Sequence, residues 1–111
     1  MNVLELAEIL DLTVCEKGNG DLREITSIYC CDLLSIVMGR AKPNSAWITV
    51  MANINSIAVG TLANVSCIII SEDMQIDNEV LEKAKQHSVC VLKSPHCTFD
   101  IAKRIAETLK L

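Results

Sequence analysis

The sequence predicts a single α/β domain of three layers, helices on both faces of a mainly parallel sheet built from βα units. Three observations predict it. From residue 46 on, short apolar runs alternate with helix-like stretches at a near-constant stride: AWITV, NINSIAVGTLAN, VSCIII, DNEVLEKAKQHS, VCVLK and TFDIAKRIAETL. That rhythm means crossover connections, which lay helices on the sheet and make its strands parallel. VSCIII is an unbroken apolar run, as expected of a strand covered on both faces. Finally, 111 residues suffice for one core and not for two, so residues 1–111 are read as one domain.

The elements follow in order. Val3, Leu6, Ala7 and Leu10 fall at i, i+3, i+4 and i+7, one face of a short helix with acids on the other. GNGD at 18–21 is a turn, and LTVCE and REITSIYCC on either side read as extended. DLLSIVMG reads as a helix that Asp32 caps and Gly39 stops, before a turn at AKPNS. Cys30 and Cys31 then end a strand, and their thiols mostly fill space. In NINSIAVGTLAN the buried side is read as Ile54, Ile57, Ala58 and Leu62. Asp77 caps the next helix, with Glu79 in its first turn and Lys83 and Lys85 near its end, matching the helix dipole. In the last helix Ile101, Ala102, Ile105, Ala106 and Leu109 form the buried stripe, and Asp100 is placed to pair with Arg104.

Composition narrows the function classes. The formal net charge is −4, which argues against a nucleic-acid backbone or an anionic membrane as partner. Tyr29, Trp47 and Phe99 are the only aromatics, too few for a base-stacking platform. No run approaches the ~20 apolar residues that cross a bilayer, and the N-terminus carries Glu5, Glu8 and Asp11 where a secretion signal is apolar. The expected location is the cytoplasm, with cysteines reduced. Half of the residues are hydrophobic, a load that a small monomer has little interior to hide, so a homodimer is expected.

Metal, cofactor and catalytic signatures are sparse. Consecutive strand residues point to opposite faces, so Cys30 and Cys31 cannot grip one metal together, and no C-x2-C spacing exists. Cys67 and Cys90 sit in apolar runs as small hydrophobes. Cys97, beside His96 at the start of the last helix, is the candidate reactive thiol, because a helix N-terminus stabilises a thiolate; the bland alternative is packing under the first turn. Phosphate-loop, nucleophile-elbow and zincin motifs are absent. No catalytic residue, metal site or cofactor is assigned.

A collective pattern is more informative. Ligands of open parallel sheets bind beyond the carboxyl ends of the strands. Those ends carry Asp32, Thr49, Asn53, Asn55, Ser71, Glu72, Ser94 and Thr98, polar residues after greasy strands. Capping alone also selects such residues, but the cluster marks Asp32, Thr49, Asn53, Asn55, Ser71, Ser94 and Thr98 as candidate small-ligand contacts.

The blocks REITSIYCCDLLSIVMG, WITVMANINSIAVGTL and IIISEDMQIDNEVLEKAKQHSVCVLKSPHCTFDIAKRI resemble the DRTGG domain in its stand-alone form, a fold similar to the N-terminal domain of HPr kinase/phosphorylase. Tyr29, Asp32, Leu33, Leu34 and Ser35 match one family block, and Trp47, Ile48 and Thr49 another. Of the naming motif, Arg23 and Thr26 remain, while Ser27 and Ile28 stand where the family has glycines; Asn53 replaces a histidine and Asn55 is kept. The resemblance implies a non-catalytic regulatory module of the kind attached to CBS pairs or encoded alone. It also implies a possible partner protein in a redox or signalling pathway. The expectation is therefore a ligand-sensing or interaction module. The alternative is a redox or metal/iron–sulfur accessory factor using Cys97 with His96, or surface cysteines.

Overall fold

The computed structural model describes residues 1–111 as ten elements. In chain order these are α1 (Val3–Ile9), β1 (Thr13–Glu16), β2 (Ser27–Cys30), α2 (Leu34–Arg40), β3 (Ser45–Thr49), α3 (Ile54–Ala63), β4 (Cys67–Ile70), α4 (Asn78–Gln86), β5 (Val91–Lys93) and α5 (Thr98–Leu109). The strands form one five-stranded sheet in the order β1-β5-β4-β3-β2. β2 through β5 are parallel, and β1 joins β5 antiparallel at the edge.

Strand periodicity divides the core in two. Ala46, Ile48, Cys67, Ile69 and Leu92 face α1 and α5; Trp47, Ile68, Ile70 and Val91 face α2, α3 and α4. Strands β2 to β5 are laid down in one direction, so crossovers of one hand all run to one face. After β5 the chain changes face, and α5 returns beneath β2 and β3. The three layers are helix, sheet, helix.

The segment before β2 ties the amino ends of the strands together. Arg23 Nη2 donates to Asn44 Oδ1 (2.8 Å) and to the Asn64 carbonyl (2.9 Å). The Thr26 amide donates to the Asn44 carbonyl, and Ser66 Oγ to that of Glu24. Residues 23–26 are therefore a staple across β3 and β4, and the extended REITSIYCC yields a strand only from Ser27. Gly18 holds the preceding turn at φ +50°, where a Cβ would lie 2.4 Å from the Val89 carbonyl carbon.

Several local expectations are corrected. Asp32 does not cap α2; Leu33 occupies that position without a side-chain bond, because the Asp32 carboxylate is held by β3. Gly39 lies inside α2, which ends one residue later at Arg40, and nothing crowds its missing Cβ. Cys30 is exposed at the end of an edge strand and does not fill space, whereas half-buried Cys31 packs against the core on the α2–α4 face. Asp77 stands at the N-cap of α4, but its side chain accepts no capping bond. Asp100 and Arg104 form no ion pair, as is common where exposed ends stay solvated.

The largest correction is the face of α3. Its buried residues are Ser56, Ile57, Val59, Gly60 and Ala63, while Ala58 is exposed and Leu62 is 71% exposed. Apolar residues run round this helix, so two faces compete. The small face wins because it lets α3 lie close on β4: a Cβ on Gly60 would come within 2.8 Å of Ile68 Cδ1.

Candidate functional site

Beyond the carboxyl ends of the strands, the polar residues sort into two groups. The first is built on β2 and β3. Thr49, the last residue of β3, is fully buried, and its hydroxyl donates to Asp32 Oδ1 at 2.7 Å. The Val50 amide donates to the same oxygen at 3.0 Å, and the Met51 amide to Thr49 Oγ1 at 3.1 Å. This relay fixes Asp32 while leaving its residue exposed. The chain leaving Cys31 is anchored by Trp47, whose indole N–H donates to the Cys31 carbonyl at 2.9 Å.

The chain then turns into α3. Asn53 Oδ1 caps it by accepting from the Ser56 amide at 3.0 Å, and Ser56 Oγ donates to the Met51 carbonyl. Asn55 is exposed in the first turn. Between the starts of α3 and α4 opens a hollow of about 390 Å³ lined by Asn53, Ile54, Asn55, Asp77, Glu79 and Val80, together with Ala52. The first N–H groups of α3 have no intrahelical acceptor, and Asp77 and Glu79 bring carboxylates to the α4 side. The wall thus offers donors on one side and strong acceptors on the other. That pairing suits a neutral or mixed polar ligand better than a bare anion.

The second group follows β4 and β5. Ser71 and Thr98 share a hydrogen bond of 2.8 Å between hydroxyls, joining the end of β4 to the start of α5. Ser94 Oγ accepts from the His96 amide, the Asp73 amide donates to the Ser94 carbonyl, and the Glu72 amide to that of His96. Glu72 and Asp73 both adopt left-handed backbone to make this turn. Ser71 and Ser94 are buried, and Ser71, Ser94 and Thr98 line no cavity.

The structure therefore brings Asn53 and Asn55 to a hollow that Asp32, Thr49, Ser71, Ser94 and Thr98 do not line, while the Ser71 amide, donating to the Thr49 carbonyl at 3.1 Å, joins the two groups of strand ends. Sequence reasoning missed Asp77 and Glu79 as wall residues because capping and dipole roles accounted for both. The signal that could have found them is that the α3 and α4 starts are neighbours in consecutive βα units.

The cysteines are all free. Burial holds the Cys67 thiol well above its usual range and pushes Cys90 up to about 12, with Glu16 and other neighbouring acid groups adding to the latter. Partial desolvation also raises Cys15 and, although its residue is exposed at the strand end, Cys30, where the neighbouring Asp32 carboxylate adds to it. Cys97 stands at the N-cap of α5 without a side-chain cap bond, and no hydrogen bond joins it to the exposed His96 side chain. No three His, Cys, Asp or Glu side chains gather so as to hold a metal ion. The redox or metal alternative gains no support from this geometry. No helix is long and apolar enough to cross a membrane.

Comparison with known proteins adds the following. The DRTGG domain family matches residues 5–108. No curated protein matches the chain. Its fold is similar to the crystal structure of the CBS and DRTGG domains of the regulatory region of Clostridium perfringens pyrophosphatase, complexed with activator, diadenosine tetraphosphate. The TM-score is 0.70 at 15% identity, over 93% of this chain and 44% of that one. The chain thus spans less than half of that structure, and at this identity the likeness is one of fold.

Proposed function

Because the chain belongs to the DRTGG domain family, we propose that it is a non-catalytic regulatory module that senses a small molecule in the hollow between α3 and α4. DRTGG domains are regulatory, and one stands beside CBS domains in the activator-bound region described above. The observation that carries the reading is the hollow itself: Asn53, Asn55, Asp77 and Glu79 line it, and the Asp32–Thr49 relay stiffens the neighbouring strand ends. In this reading the α3 amides take a phosphate or carbonyl group, and the carboxylates of Asp77 and Glu79 take hydroxyls or an amine. Ser71, Ser94 and Thr98 serve the site by holding the β4 and β5 loops still.

Diadenosine tetraphosphate is the activator of the similar structure, which makes nucleotides the first probes. A thermal-shift screen with nucleotides, diadenosine polyphosphates and phosphorylated metabolites should find a stabilising ligand. Asn55→Ala and Asp77→Asn, both at exposed positions, should abolish its effect without unfolding the protein. Silence across the whole panel would leave the reading without support.

The module is further proposed to act in the cytoplasm as one domain over residues 1–111, with the fold of the N-terminal domain of HPr kinase/phosphorylase, and as a homodimer. Supporting the dimer, Leu33 is 58%, Met38 44% and Leu62 71% exposed on the adjacent helices α2 and α3. Exposed apolar side chains of this size favour a second protein surface over water.

A further inference from the structure

A second cavity lies at the opposite end of the sheet, below the amino ends of β4 and β5. The turn before Arg23, the end of α3 and the end of α4 enclose about 90 Å³ there, with Asn19, Arg23, Asn64, His87 and Ser88 among the lining residues. No carboxylate lines it, in a chain of net charge −4. Arg23 is half-buried, yet none of the three ion pairs in the molecule involves it. Both of its side-chain hydrogen bonds leave from Nη2, to Asn44 Oδ1 and the Asn64 carbonyl, so Nε and Nη1 have no protein acceptor. A guanidinium partly removed from water without a counter-ion is costly, and it is a ready fork for an oxyanion.

The two helix ends would ordinarily repel an anion through their carbonyls. Here several of those carbonyls are engaged. Asn64 and Val65 amides return to Thr61 and Gly60 at the end of α3; His87, Ser88 and Val89 amides return to Lys83, Lys85 and Ala84 at the end of α4. The space, about 90 Å³ and partly open to solvent, has room for the head of one oxyanion.

We propose that this cavity binds a tetrahedral oxyanion, inorganic phosphate or a terminal phosphate group. Arg23 provides the charge, Asn19, Asn64 and Ser88 provide neutral donors, and the exposed His87 completes the lining. The site is independent of the α3–α4 hollow and lies at the other ends of the same two helices. Its motif arginine thereby has two duties, stapling the amino ends through Nη2 and offering its remaining donors to the anion.

The test is a titration of the full chain with phosphate and sulfate, against acetate and chloride at matched ionic strength, followed by backbone amide chemical shifts. Phosphate should give saturable shifts at Asn19, Asn64, Ser88 and Val89 in the millimolar range. Ser88→Ala and His87→Gln, at exposed positions, should each weaken binding several-fold while leaving the rest of the spectrum in place. Arg23→Lys should weaken it further, since a point charge loses the fork. Should Arg23→Lys unfold the chain, the Ser88 and His87 variants and the shift map still decide. Shifts that chloride reproduces, that never saturate, or that appear only at Asn53, Asn55 and Glu79 would overturn the proposal.

Discussion

Individual residues decide more here than their types announce. Asp32 sits just past β2 where a helix cap was expected, yet its carboxylate binds across to Thr49 and Val50. Removing the hydroxyl in Thr49→Val strips a buried partner from a charged acceptor and from the Met51 amide. Urea denaturation should show a loss of about 1–3 kcal/mol. The buried thiols give a second prediction. A group whose folded pKa lies above its unfolded value keeps its proton longer when folded. The associated stability is intact below the ordinary thiol pKa of 9.0 and falls as pH rises from there toward about 12, the Cys90 value. The slope approaches about 1.4 kcal/mol per pH unit for each fully buried thiol. Denaturation curves across that window should be visibly flatter in the Cys67→Ala/Cys90→Ala variant, whatever its absolute stability. Burial of these two cysteines was legible in VSCIII and VCVL; the exposure of Cys30 was not, because it depends on β2 being the sheet's edge.

At the scale of elements, α2 and α3 carry two helix glycines of opposite character. Gly39 lies in the last turn of α2 with open space where a Cβ would stand, so Gly39→Ala should stabilise by about 0.5–1 kcal/mol through reduced unfolded-state entropy. Gly60 faces the fully buried Ile68, and Gly60→Ala should destabilise by about 1–3 kcal/mol as the core is forced to move. Thermal melts of the pair should move in opposite directions. Equal shifts of one sign would contradict the packing described for α3. The α5 stripe was readable from spacing, since Ile101 and Ile105 stand out against charged neighbours. The α3 stripe was not, since INSIAVGTLA is apolar nearly all round, and only contact with β4 selects the small face. Of the candidate site, the Asn53 and Asn55 positions were legible at the start of this helix, and the acidic wall opposite them was not.

For the whole molecule, the exposed Leu33, Met38 and Leu62 bear on assembly. Light scattering at micromolar concentration should report twice the chain mass, and Leu62→Asp should shift it toward the monomer with an unchanged circular dichroism spectrum. A monomer mass for the unaltered chain would refute the dimer. The two sites also lie at opposite ends of α3 and α4, so each can be probed separately.

Local chemistry written along the chain determined the α/β class, the run of βα units, the apolar strands and most helix spans. Those follow from periodicity and from capping and turn residues, which act over a few neighbours. Tertiary structure alone decided the strand order, the antiparallel edge, the buried face of α3, the staple at Arg23 and which polar strand ends share a hollow. Each of those depends on contacts between residues far apart in sequence, where several pairings satisfy the same local pattern and only packing in three dimensions selects one.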